Sequence, residues 1–87
     1  MDRQVTIVNK LGLHARPAMQ FVDLANTFQS NIKVWKGDQC VDGKSIMQMM
    51  MLAATAGTPL KIVAEGPDAE AALLALDNLI QSCFGEE

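Results

Sequence analysis

The feature that most constrains this chain is how often its apolar residues change period. Val5 and Ile7 alternate as on a strand, whereas Ala18, Phe21, Val22, Ala25 and Phe28 recur at helical spacing. Ile32 and Val34 alternate again, and Val41 carries the inward position of a short return strand. A second helical segment runs from Ile46 to Leu52, then Leu60, Ile62 and Ala64 alternate. Ala69, Ala72, Leu73, Leu76, Leu79, Ile80 and Cys83 form a last helical stripe. The order therefore reads strand, helix, strand, strand, helix, strand, helix, with short connections. Each strand has a single apolar face, which predicts an α+β fold: one antiparallel sheet with helices packed on one side. Eighty-seven residues suffice for one two-layer core, so residues 1–87 are read as a single domain.

Local signals set the boundaries. The first strand is expected over residues 3–8, followed by a loop from Asn9 to Leu13. The first helix is expected from Ala15 to about Phe28, closing in Gln29-Ser30-Asn31. Lys33 and Trp35 fall on the face opposite Ile32 and Val34, and Gly37-Asp38 suits a two-residue type II′ hairpin turn. Ser45 is positioned to cap the short helix, Gly57 to stop it, and Pro59 to open the next strand. Asp68 is expected to cap the last helix.

Composition narrows the function classes. The formal charge of −3 and pI of about 4.9 argue against a general nucleic-acid binder, which carries a basic face. Glu65, Asp68, Glu70, Asp77, Glu86 and Glu87 concentrate late, whereas six of the seven basic residues lie in the first half. Lys10, Arg16 and Lys44 are thus available to steer an acidic partner toward the His14 end. No apolar run is long enough to cross a bilayer, and no charged-then-apolar leader opens the chain, so a cytoplasmic protein without membrane insertion is expected. Cys40 and Cys83 then read as reduced thiols, and with one histidine they offer too few ligands for structural zinc. Neither a metal nor a cofactor is expected.

The chemistry concentrates in Gly12-Leu13-His14-Ala15-Arg16-Pro17-Ala18. His14, the only histidine, falls at or beside the N-cap of the first helix. Pro17 fits the first turn, where its missing N–H removes no intrahelical bond. The N–H groups of Ala15 and Arg16, the positive end of the helix dipole and the Arg16 guanidinium together suit an anion. A neutral imidazole there is a nucleophile near pH 7, and phosphate carried on it would meet charge-assisted donors. No carboxylate near in sequence could orient the ring as in a hydrolase, so the residues favour carriage of a phosphoryl group over autonomous catalysis.

Gly-Leu-His-Ala-Arg-Pro-Ala resembles the active-site signature of HPr, the histidine-containing phosphocarrier of the phosphoenolpyruvate-dependent sugar phosphotransferase system. Lys44-Ser45-Ile46-Met47 resembles the regulatory serine segment of the same family, and the likeness covers nearly the whole chain. The resemblance implies an open-faced two-layer sandwich, βαββαβα, with sheet order 1-4-2-3, three helices on one face and Trp35 on the bare face. It further implies that Nδ1 of His14 takes phosphate from phospho-Enzyme I and gives it to a histidine of a IIA domain, with Arg16 shielding charge. A monomer that is not an enzyme is expected.

Gly43-Lys44-Ser45 is no P-loop, because one residue too many separates Gly37 from Gly43. Read locally, Ser45 is an N-cap; the family resemblance implies phosphorylation of this serine by an HPr kinase/phosphorylase and binding to a transcriptional regulator. Ile46, Met47 and Met50 are expected along one edge of the short helix, with Lys44 beside them, as a partner-binding patch, while Met49 and Leu52 turn inward. Flexible thioethers suit a surface that fits several partners. Gln48 departs from the glycine that many members carry. The alternative is a mainly regulatory relative, acting by Ser45-dependent binding or in a nitrogen branch, without sugar transport.

Overall fold

The computed structural model describes residues 1–85; Glu86 and Glu87, part of the acidic C-terminal half, lie outside the described residues. Four strands, β1 (Asp2–Thr6), β2 (Asn31–Lys36), β3 (Gln39–Asp42) and β4 (Pro59–Glu65), form one antiparallel sheet in the order β1-β4-β2-β3. The helices α1 (Ala15–Ala25), α2 (Ile46–Met51) and α3 (Ala69–Gln81) cover one face. This is the open-faced sandwich, strand order included, that the resemblance implies.

Alternation decides which face is covered. Val5, Ile7, Ile32, Val34, Val41, Leu60, Ile62 and Ala64 are buried toward the helices, where they meet Ala18, Phe21, Val22, Met49, Leu73, Leu76 and Ile80. Phe21 and Phe84 are the largest of the fully buried side chains, and truncating such a residue to alanine costs about 3–5 kcal/mol. On the opposite face Lys33, Trp35 and Lys61 point away from the core, with the Lys61 ammonium 5.9 Å from the Trp35 ring centroid. The β2–β3 turn has Gly37 at φ +58° and Asp38 on the negative side, as a type II′ turn requires.

Element boundaries differ from expectation at α1, β1 and α2. Helix α1 stops at Ala25, short of Phe28, because side chains compete for its last carbonyls: Asn26 Nδ2 donates to Val22 O at 2.9 Å and Thr27 Oγ1 to Leu24 O at 2.6 Å. Strand β1 ends at Thr6 instead of Val8. Ile7 still exchanges backbone bonds with the loop before β4, donating to Thr58 O and accepting from Gly57 N. Gly57 is therefore part of that loop and does not stop α2; the left-handed position after α2 is taken by Ala53, at φ +50°.

Asp68 does not cap α3 with its side chain. Its carboxylate crosses instead to the loop before β2, accepting from Ser30 Oγ, from Ser30 N at 2.9 Å and from Gln29 N at 2.8 Å. The Ser30 hydroxyl, then the Gln29 amide, hold the Asp68 pKa below its ordinary value of 3.8 against a smaller opposing desolvation. Gly66 permits this closure, since a Cβ there would lie 2.6 Å from Ser30 Oγ.

Candidate functional site

The chain enters α1 through a tight loop. Gly12 N donates to Asn9 O at 3.1 Å, and the buried Asn9 side chain returns a bond from Nδ2 to Gly12 O at 2.7 Å. Gly12 sits at φ +72°, and a Cβ on it would lie 2.5 Å from Ala54 O, so both conformation and space require glycine. Leu13, buried, donates its N–H to Ala54 O at 2.8 Å. The loop that presents His14 is thus seated on the segment that follows α2.

His14 is the N-cap of α1, with extended backbone at φ −85° and ψ −170°. Its N–H goes back to Gly12 O at 3.1 Å and its C=O accepts the first helical bond from Ala18 N at 3.0 Å. Its side chain, half-buried, does not cap the helix. Pro17 has no N–H, so the open donors of the first turn are the amides of Ala15 and Arg16. Both residues are exposed. The described arrangement is an imidazole at the positive end of a helix, reached by solvent, followed by two amides and a guanidinium.

The start of α2 is built differently. Ser45 is an extended N-cap whose Oγ accepts from Gln48 N at 3.3 Å, and Gln48 Oε1 accepts from Asp42 N at 2.9 Å. Ser45 and Gln48 thus form half of a capping box, legible in the spacing Ser45-x-x-Gln48, with the return bond going to the end of β3 instead of the N-cap amide. Gln48 is therefore a local structural residue as well as part of the exposed edge.

A family model described as the HPr component phosphorylation site of the phosphotransferase system matches residues 1–82. The chain belongs to the HPr family. The phosphocarrier protein HPr of Pseudomonas aeruginosa is 49% identical over 84 residues, 95% of this chain and 93% of the relative. That of Neisseria meningitidis serogroup B is 45% identical over 86 residues, 99% of this chain and 97% of the relative. The crystal structure of HPr-C-His from Thermoanaerobacter tengcongensis superposes with a TM-score of 0.96 at 48% identity, covering 100% of this chain and 98% of that one. Membership gives this chain, in general terms, the role of a phosphocarrier of the phosphotransferase system.

The residues singled out from the sequence fall into two groups. His14, Ala15 and Arg16 lie together at the N-terminal end of α1. Lys44 and Ser45 lie at its other end: Asn26 Nδ2 donates to Lys44 O at 3.3 Å, and Lys44 Nζ donates to Phe28 O at 2.7 Å. With 11 residues in α1, the two ends are roughly 16 Å apart at 1.5 Å per residue. The expectation that Lys44 steers a partner toward the His14 end is corrected accordingly: its ammonium is engaged at the far end of α1.

Helix α2 divides its methionines sharply. Met49 is fully buried, Ile46 packs partly against the core, and Met47, Met50 and Met51 are 75%, 46% and 68% exposed. Met19 on the neighbouring α1 is also exposed, and the two helices pack side by side. Exposed methionines thus lie on both helices. Among the described residues no group of three or more His, Cys, Asp or Glu could hold a metal ion, and no helix is long and apolar enough to cross a membrane.

Proposed function

We propose that residues 1–87 act as one domain that accepts a phosphoryl group on His14 from phospho-Enzyme I and passes it to a histidine of a IIA component. In each transfer a ring nitrogen of the acceptor attacks phosphorus, the N–P bond of the donor breaks and its ring keeps the electron pair. The observation that carries this reading is the open helix start: a half-buried imidazole as N-cap, with the Ala15 and Arg16 amides bearing no intrahelical acceptor. The transferred oxyanions would be met by those amides, the helix dipole and Arg16. An exposed site of this kind releases phosphate as readily as it takes it, which suits a carrier and not a hydrolase.

Ser45 is the regulatory position in this reading, with an HPr kinase/phosphorylase as its modifying enzyme and a transcriptional regulator as a further partner. Phosphate there adds close to two negative charges beside Ile46, Met47 and Met50, the patch we assign to docking with Enzyme I, with Lys44 on its border. In this reading the chain works as a cytoplasmic, monomeric carrier, in the compartment of its phosphotransferase partners.

The test is incubation with phosphoenolpyruvate and Enzyme I. Label is expected on His14, labile in acid and stable in base, and absent from His14→Gln; a label that survives acid, or one retained by His14→Gln, overturns the proposal. Faster labelling by a nitrogen-branch donor than by the sugar-branch Enzyme I would reassign the chain to signalling.

A further inference from the structure

Lys36 closes β2 at the edge of the β2–β3 hairpin, and its half-buried side chain reaches across to the C-terminal end of α2. There its Nζ donates to Leu52 O at 2.7 Å, while Gln39, from the start of β3, donates to Met51 O at 3.4 Å. The last carbonyls of a helix lack intrahelical donors and carry the negative end of its dipole, so an ammonium is well matched to this position. The next residue, Ala53, holds the left-handed conformation at φ +50°, one that a non-glycine residue keeps only where its surroundings fix it. The residue after that supplies Ala54 O, which accepts Leu13 N at 2.8 Å and against which Gly12 is packed too closely to bear a Cβ.

We propose that Lys36 is a positioning residue for His14: by fixing Leu52 O it holds the 52–54 turn, whose Ala54 carbonyl anchors Leu13 and so sets the entry of the chain into α1. The turn is clamped from two sides, by Lys36 from the hairpin and by the Gly12-Leu13 loop from the site. Releasing the hairpin side leaves Ala53 free to relax toward a right-handed conformation. Ala54 O then swings away, and the His14 backbone loses the neighbour that defines its φ and ψ. Lys36 touches neither His14 nor the phosphoryl group; it acts through Leu52, Ala54 and Leu13. The inference rests on the phosphocarrier reading for its functional consequence, but its structural half stands apart from it.

The experiment compares the parent with Lys36→Met, which keeps the stem and loses the donors, and Lys36→Arg, which keeps a charged donor. Two quantities are read: amide hydrogen exchange at Leu13, with Ile62 and Val34 as core references, and the initial rate of His14 labelling by phosphoenolpyruvate and Enzyme I. Lys36→Met is expected to speed Leu13 exchange about tenfold with the core amides unchanged, as a local opening does. It is expected to slow labelling several-fold, and Lys36→Arg to recover most of both. Unchanged Leu13 exchange in Lys36→Met, or a rise only in proportion to Ile62 and Val34, overturns the proposal, as does an unchanged labelling rate alongside faster exchange. Should Lys36→Met fail to fold, Lys36→Gln is read the same way. A parent that takes no label refutes the carrier reading and leaves the exchange result to decide the positioning role.

Discussion

His14 begins α1 at φ −85° and ψ −170°; Ser45 begins α2 at φ −112° and ψ 116°. Both are extended N-caps, yet the two helix starts are finished in opposite ways. At Ser45 the Gln48 amide is claimed from within by the N-cap hydroxyl, and the Gln48 side chain in turn accepts from Asp42 N at the end of β3. At His14 the side chain does not cap, Pro17 removes one donor, and the Ala15 and Arg16 amides have no acceptor in the helix. The difference is that the N-cap side chain serves its own helix at Ser45 and does not at His14. Under the proposed function a phosphoryl group on His14 would meet helix-end donors, whereas one on Ser45 would take the place of a cap that is already made.

Gly12→Ala breaks the open end most severely. The added Cβ would lie 2.5 Å from Ala54 O and the residue would be held at φ +72°. A loss of about 2–4 kcal/mol is expected from left-handed strain and overpacking together, read by denaturant unfolding, with slower phosphate acceptance. Arg16→Ala comes next and affects function alone. Removal of a charge-assisted bond worth about 1.5–3 kcal/mol should lower the rate of His14 labelling roughly 10–100-fold while the unfolding midpoint hardly moves.

Ser45→Ala should give the mirror image. The lost cap costs about 1 kcal/mol of stability, and labelling of His14 stays within about twofold of the parent, because Ser45 lies at the far end of α1. A large labelling defect in Ser45→Ala, or a large stability defect in Arg16→Ala, would break the contrast between a finished and an unfinished helix start.

The smallest effect sharpens the contrast with a third helix start, that of α3, whose N-cap carboxylate serves another loop. The pKa of Asp68 is lowered by its bonds to Ser30 and Gln29, so its contribution is fully present above its ordinary 3.8 and is lost as pH falls through the lower folded value. Asp68→Asn should therefore be slightly less stable than the parent at neutral pH. The difference should close in acid, as seen in melting temperature plotted against pH; a difference that widens in acid would contradict the assignment.

The sequence made the elements and the helix-end site legible because both depend on local spacing: the apolar periods, Ser45 before Ile46, and His14 three residues before Pro17. Strand order came through the family resemblance, since alternation alone says which face is buried and nothing about which strand is next door. Readings failed where a polar side chain chose a distant partner. Asp68 looked like a cap until Ser30, far away in sequence, took its carboxylate, and Lys44 looked free until Phe28 O engaged its ammonium. Ala53 carried no sign of its left-handed turn, because the bonds that fix its neighbours come from Lys36, Gln39 and Leu13.

The sheet order has a consequence for how the molecule comes into being on the ribosome. Strand β1 pairs only with β4, and β4 is also the link to β2. Until residues 59–65 have left the exit tunnel, the first strand has no ladder to join, and the segment that seats Leu13 has only just emerged. Until residue 54 has emerged, the nascent chain carries the His14 loop without the carbonyl that orients it. Under the proposed function, competence to take phosphate would arrive together with the fold, when β4 slides between its two neighbours.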